Sequence, residues 1–176
     1  DTAQKALEQG ADFLVLKGNP ETGVTNQEII KQIKAISAIA EETIIMAGKM
    51  HQVGVQKDDV PPDLVQQMIE SGADVILLPI PGTVPGITVD EMNKIIEQVH
   101  QAGGLVMNTI GTSQESANQE VIQELALNSK LIGADLHHIG DAGYQGIAIP
   151  ENIRDYSISI RGRRHTYKRM SISINK

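Results

Sequence analysis

Five short apolar runs recur at a nearly constant interval, and that interval limits the architectures open to the chain. The runs begin at Phe13, Ile44, Val75, Leu105 and Leu136, in steps of 31, 31, 30 and 31 residues. Three share a lead-in: Gly10-Ala11-Asp12, Gly72-Ala73-Asp74 and Gly133-Ala134-Asp135. The other two follow Glu42-Thr43 and Gly103-Gly104. About thirty residues is the length of one strand, one helix and two connections. Each run is short and bounded by glycine or polar residues, as a buried strand is. An amphipathic stretch precedes each: Thr2 to Gln9, Asn26 to Ala40, Asp63 to Glu70, Val89 to Gln101 and Gln119 to Leu131. Gly10, Gly72, Gly103 and Gly133 fall where a helix end needs a left-handed residue. Asp90 with Asn93, and Ser116 with Gln119, read as helix starts. Pro150 to Met170 reads as a closing helix, broken or kinked near Gly162.

Alternating units of this kind imply a parallel sheet with right-handed crossovers. An open doubly wound sheet and a (β/α)₈ barrel both satisfy that pattern. Even spacing, with no amphipathic edge strand, favours the barrel. The expectation is an α/β fold, a TIM barrel in which residues 1–176 form a single domain and supply the last five βα units. The chain opens inside a helix, at Asp1-Thr2-Ala3-Gln4. Three further units, about 90 residues, are therefore expected upstream.

Composition narrows the function classes. Aromatic residues are only 2% of the chain, so Ile, Leu, Val, Ala and Met must fill the core. The formal charge is −7, which excludes nucleic acid as the main partner, because a phosphate backbone needs a basic footprint. The charge is uneven: residues 150–176 hold seven Lys/Arg against two Asp/Glu. That basic tail reads as a solvated face or a subunit contact, so a homo-oligomer is an option. There is no cysteine, hence neither a disulfide framework nor a cysteine–zinc site. No run approaches the ~18 apolar residues of a membrane span, and no leader pattern opens the chain. A cytoplasmic protein without a membrane partner is the expectation.

Barrel enzymes place their chemistry on the loops after the strands. Lys17 and Asn19 follow the first run, and Lys49 and His51 the second. A lysine in a partly dry barrel mouth forms a Schiff base with a carbonyl substrate, or holds a phosphate or carboxylate as a fixed charge. After the third run, Pro79 to Gly86 makes a rigid loop in which Thr83 either donates to a ligand or only sets the shape. The fourth run ends in Asn108, and the loop Gly111-Thr112-Ser113 precedes a helix, an arrangement suited to an anion. Asp141 and Gly143 follow the fifth run. His137 and His138 point to opposite faces of their strand, so one looks into the barrel. Periodicity does not say which; His138 is the candidate acid–base group, with Asp141 as its partner. A His51, histidine and Asp141 metal site is the weaker option, and no metal ligand or cofactor is assigned.

Several longer motifs carry a resemblance. They are Leu16-Lys17-Gly18-Asn19-Pro20, Thr22 to Asn26, Ala47-Gly48-Lys49-Met50-His51, Pro81 to Thr88, Ile110 to Glu115 and His137 to Tyr144, then Pro150 to Ile153 and Ile160 to Tyr167. In this order they resemble an uncharacterised bacterial TIM-barrel family of the ribulose-phosphate-binding or aldolase type. The resemblance covers nearly the whole chain. It implies three more strands upstream and a longer segment between Val53 and Pro62. Some members are labelled haloacid dehalogenase-like hydrolases. The Asp-x-Asp nucleophile pair of such hydrolases does not occur in this sequence, so that chemistry is not carried over. The expected function is an aldolase, lyase or isomerase acting on a small phosphorylated or carboxylated metabolite. The alternatives are a metal-assisted hydrolase or lyase, and a barrel that binds a metabolite without catalysis.

Overall fold

The computed structural model describes residues 2–18, 23–40, 42–49, 62–110, 114–140 and 148–172. The elements run α1 (Thr2–Glu8), β1 (Phe13–Gly18), α2 (Asn26–Ser37), β2 (Ile44–Lys49), α3 (Pro62–Glu70), β3 (Val75–Pro79), α4 (Val89–Gln101), β4 (Leu105–Thr109), α5 (Gln119–Leu131), β5 (Leu136–His138) and α6 (Pro150–Met170). A 3₁₀ turn, Gln114–Ser116, lies between β4 and α5. The five strands pair in parallel in chain order, β1-β2-β3-β4-β5. All five strand starts match the repeat.

One face of the sheet takes the helices. Ala47, Ile76, Leu78 and Val106 pack with Ile29 and Ile33 of α2, Leu64, Val65 and Met68 of α3, and Met92, Ile96 and Val99 of α4. Ile122, Leu125 and Ala126 of α5 form a second cluster with Tyr156 of α6. The other face carries Met46, Val75 and Leu77, with Met107 and Leu136 against them. Helices on one face and strands in unbroken order are the layout of a (β/α)₈ barrel wall. A doubly wound sheet reverses its strand order and covers both faces. The chain is therefore a partial α/β barrel, and the helix-free face is its inner surface.

The shared lead-in has a mechanical role. The N–H of Ile45 on β2 donates to the Asp74 carboxylate at 2.8 Å, and the N–H of Asp74 donates back to the Ile45 carbonyl at 2.8 Å. One unit pair later, Val106 on β4 donates to the Asp135 carboxylate at 2.8 Å, and Asp135 donates back at 3.0 Å. Each aspartate thus clamps the preceding strand at two points and fixes its register. Asp12 holds the same place before β1, whose outer edge carries no strand among the described residues.

Gly10, Gly72, Gly103 and Gly133 all take positive φ, as expected. The N–H of the residue after each glycine reaches five residues back into the helix, for example Gly104 to Val99 and Ala134 to Ser129, closing the helix ends. Two helix starts differ from expectation. The cap of α4 is Thr88, in a reciprocal box with Glu91, rather than Asp90. The cap of α5 is Asn118 rather than Ser116, which belongs to the 3₁₀ turn. The break at Gly162 is present, at φ 79° and ψ 162°. It folds α6 back on itself, so that the hydroxyls of Ser157 and Thr166 meet at 3.0 Å. Only Thr166 is buried between 161 and 172, a stretch that carries most of the basic tail.

Candidate functional site

Strand parity and register sort the candidate residues by face. On the inner face lie Val15 and Lys17 of β1, Met46 and Gly48 of β2, Leu77 and Pro79 of β3, Met107 and Thr109 of β4, and Leu136 and His138 of β5. The positions nearest the N-terminal ends are apolar. The polar ones, Lys17, Thr109 and His138, all stand at the C-terminal rim, where barrel enzymes work. Lys17 and His138 are the two ionisable side chains among these inward strand positions. They sit on β1 and β5, four strands apart, which in an eight-stranded barrel places them on opposite walls.

The choice between the two histidines is settled by the partners of His137. Its Nδ1 lies 2.9 Å from Ser129 Oγ on α5 and 3.3 Å from Tyr156 Oη on α6. His137 therefore faces the helices, and His138 faces the inner surface. Thr109 pairs in register with His138, and its hydroxyl donates weakly to the Leu78 carbonyl at 3.4 Å. Thr109 was not among the expected site residues. Counting in twos from the inward Met107 would have found it.

Three expectations are corrected. Lys49 does not enter the barrel mouth. It pairs with Gly18 and follows Ala47 by two, and both of those residues face the helices. It lines an open cleft of ≈ 550 Å³ with Gly23, Val24, Thr25, Asn26 and Gln27 at the start of α2. The anionic side of that helix start is already supplied: Thr25 and Glu28 form a reciprocal capping box. Asn108 does not bind substrate at the rim. It is fully buried under the helices, and its Nδ2 donates to Ser129 Oγ at 3.1 Å. Thr83 is 5% exposed, and its hydroxyl donates to the Ile80 carbonyl at 2.7 Å, so the shape-setting reading of its loop holds. Asn128 pins the same loop through the Pro81 carbonyl at 3.2 Å.

Asn19, His51, Gly111, Thr112, Ser113, Asp141 and Gly143 lie outside the described residues. The anion loop and the option of a metal held by His51 and Asp141 therefore have no geometry here. Among the described residues no group of three His, Cys, Asp or Glu is arranged to hold a metal, and no helix is long and apolar enough to cross a membrane.

Electrostatics separate the adjacent histidines. Burial, with the Arg161 guanidinium nearby, pushes the His137 pKa below its ordinary value, against a smaller opposite pull from Asp135. Burial raises the Tyr156 phenol to about 12, partly offset by a hydrogen bond with Ser129. The tautomer of neutral His137 sets whether its Nδ1 accepts from these two hydroxyls or donates to them. A second exposed pair, His100 and Asp135 at 2.9 Å, lies at the opposite end of the sheet and ties α4 to the β5 lead-in.

Comparison with known proteins bears on the fold. A putative deoxyribose-phosphate aldolase from Coccidioides immitis is 16% identical with a TM-score of 0.61, over 89% of this chain and 58% of that one. A 2,3-dimethylmalate lyase of the PEP mutase/isocitrate lyase superfamily is 17% identical at TM-score 0.64, over 92% of this chain and 60% of that one. An oxaloacetate acetylhydrolase with bound oxalate is 14% identical at 0.65, over 90% and 60%. This chain thus spans about three-fifths of the length of these similar structures. At such identities the likeness establishes the barrel and nothing finer. No curated protein matches the sequence. Residues 1–176 match the model of a domain of unknown function, DUF7916, and the chain belongs to that family.

Proposed function

We propose that this chain carries the rim of an enzyme of the aldolase, lyase or isomerase type, acting on a small phosphorylated or carboxylated metabolite. The observation that carries the reading is the inward pair at the rim: Lys17 on β1 and His138 on β5, with Thr109 beside the histidine. Lysine supplies a positive charge for the anionic group, or an amine that condenses with a carbonyl carbon and releases water. The iminium draws in the electrons of the bond between its α and β carbons, leaving an enamine, while an imidazole across the lumen takes the proton of the β-hydroxyl as that carbon becomes a carbonyl. The similar folds of an aldolase, a lyase and an acetylhydrolase support this reaction class.

The same proposal has the barrel closed by further βα units, so that residues 1–176 are one part of a single domain. Phe13, Val15, Ile44 and Leu105 support it, because these inner-face residues are 44–51% exposed here. A wall of that kind is stable once other strands cover it. The unmatched Asp12 clamp supports it as well.

Thermal-shift screening of phosphorylated sugars and keto acids tests the function, since a ligand bound to the folded state raises the melting temperature by mass action. Hits are then treated with borohydride. Trapping at Lys17 that is lost in Lys17→Met and kept in Lys49→Met is the Schiff-base result. Binding lost in Lys17→Met without any trapping leaves lysine as the fixed charge. Ligand binding unchanged in both Lys17→Met and His138→Ala refutes the reading.

A further inference from the structure

The repeat lets one unit be compared with another at matched positions. Ile76 on β3 and His137 on β5 are equivalent, each two residues after the clamping aspartate. Met68 and Ser129 are equivalent, each four residues before the lead-in glycine. Ala47 pairs with Ile76 as Asn108 pairs with His137. In the earlier unit these three positions are aliphatic or methionine, and all are buried in the main core. In the last unit the same three places hold Asn108, Ser129 and His137, joined by Tyr156 from α6. The fold therefore has an apolar solution to this packing problem. Burying polar groups there adds cost unless they are well paired, and Asn108 Oδ1 has no partner among the described residues. Stability alone does not account for the substitution. The cluster differs from its apolar counterpart in what adjoins it, for it lies directly behind His138.

We propose that Asn108, Ser129, His137 and Tyr156 are positioning residues that hold the His138 imidazole at the rim. The proposal rests on the reading of His138 as the acid–base group of the site. Strand β5 is three residues long and pairs, among the described residues, only with β4. Its backbone is held by β4, with the Ile110 N–H donating to the His138 carbonyl at 2.9 Å, and the contacts of His137 add a hold from the helix side. His137 Nδ1 lies within hydrogen-bond reach of α5 and α6 at once, and Asn108 ties Ser129 back to β4. A roll that breaks these bonds swings the adjacent His138 in the opposite sense, because neighbouring side chains point to opposite faces. The groups facing His137 are Arg161 and Tyr156 from α6 and Asp135 from the β5 lead-in. From β4 and α5 they are Asn108 and Ser129, neither of which titrates. With His137 held neutral, the proton chemistry of the pair is left to His138.

Imidazole ¹H–¹⁵N NMR across a pH series tests this on the chain without substrate. The expected wild-type spectrum has His137 neutral and His138 titrating. His137→Leu removes the hydrogen-bonding ring and moves the His138 midpoint by about half a unit or more. His137→Asn keeps a hydrogen-bonding partner for Ser129 and restores the curve. If His137→Leu fails to fold, Ser129→Ala and Tyr156→Phe give smaller displacements of the same midpoint. A His138 curve that superimposes on wild type in every folded variant overturns the proposal. Failure of the functional reading shows instead in ligand binding indifferent to Lys17 and His138, and it leaves these spectra unchanged.

Discussion

Ser129 shows how a single hydroxyl sets the local energetics. Its Oγ accepts from Asn108 and shares a hydrogen bond with His137 Nδ1, so one small side chain serves two larger ones. Ser129→Ala leaves buried Asn108 and half-buried His137 each short of a bond, and the expected loss is about 1–3 kcal/mol. Tyr156→Phe removes a longer, secondary contact at 3.3 Å, and the expected loss is about 0.5–1.5 kcal/mol. Urea unfolding of both variants measures the difference, and an equal or reversed order contradicts the assigned geometry. The residue scale is also where the sequence is hardest to read. Lys49 and Asn108 end runs that are apolar on both faces, as strands of a parallel sheet are, so polarity gives no alternation to count from. The face of each emerges only once Ala47 and Val106 are seen against the helices. His138 and Lys17 follow the same parity, yet their strands carried the candidate residues on the correct side.

Elements were far more legible than side chains. The strand starts at 13, 44, 75, 105 and 136 are visible because the lead-in repeats, and the repeated glycines mark the helix ends. Helix starts are less determinate, because short polar residues cluster there and several frames fit one cap rule. Thr88-x-x-Glu91 and Asp90-x-x-Asn93 overlap, and the structure uses the first. Thr88→Ala is therefore expected to cost about 1 kcal/mol. Asp90→Ala is expected to cost less, about 0.3–1 kcal/mol, as a first-turn carboxylate. Thermal unfolding of the two single variants checks the order. The basic arm of α6 was legible as a break and a charge excess. Its fold-back was not, because that depends on the Ser157–Thr166 contact across nine residues.

For the whole molecule, the His137–Tyr156 contact adds two pH-dependent contributions to stability. The His137 pKa in the fold lies below its unfolded value near 6.5, so the unfolded chain binds the extra proton first. The contribution of neutral His137 is complete above pH 6.5 and declines as pH falls through the window beneath it. Tyr156 acts at the other end: its folded value of about 12 exceeds the ordinary 10, so stability declines as pH rises above 10. Melting temperatures of wild type and Tyr156→Phe across pH 9 to 11, and of wild type and His137→Asn across pH 7 to 5, should diverge at those two ends. Parallel curves would refute the assignment. The aspartate clamp has a consequence of another kind. β2 and β4 are each secured by an aspartate belonging to the unit translated after them, so the joint has a direction in time. On the ribosome β2 stays free to slip until Asp74 emerges, and β4 until Asp135 does. At these two strands the register is then fixed one strand behind synthesis.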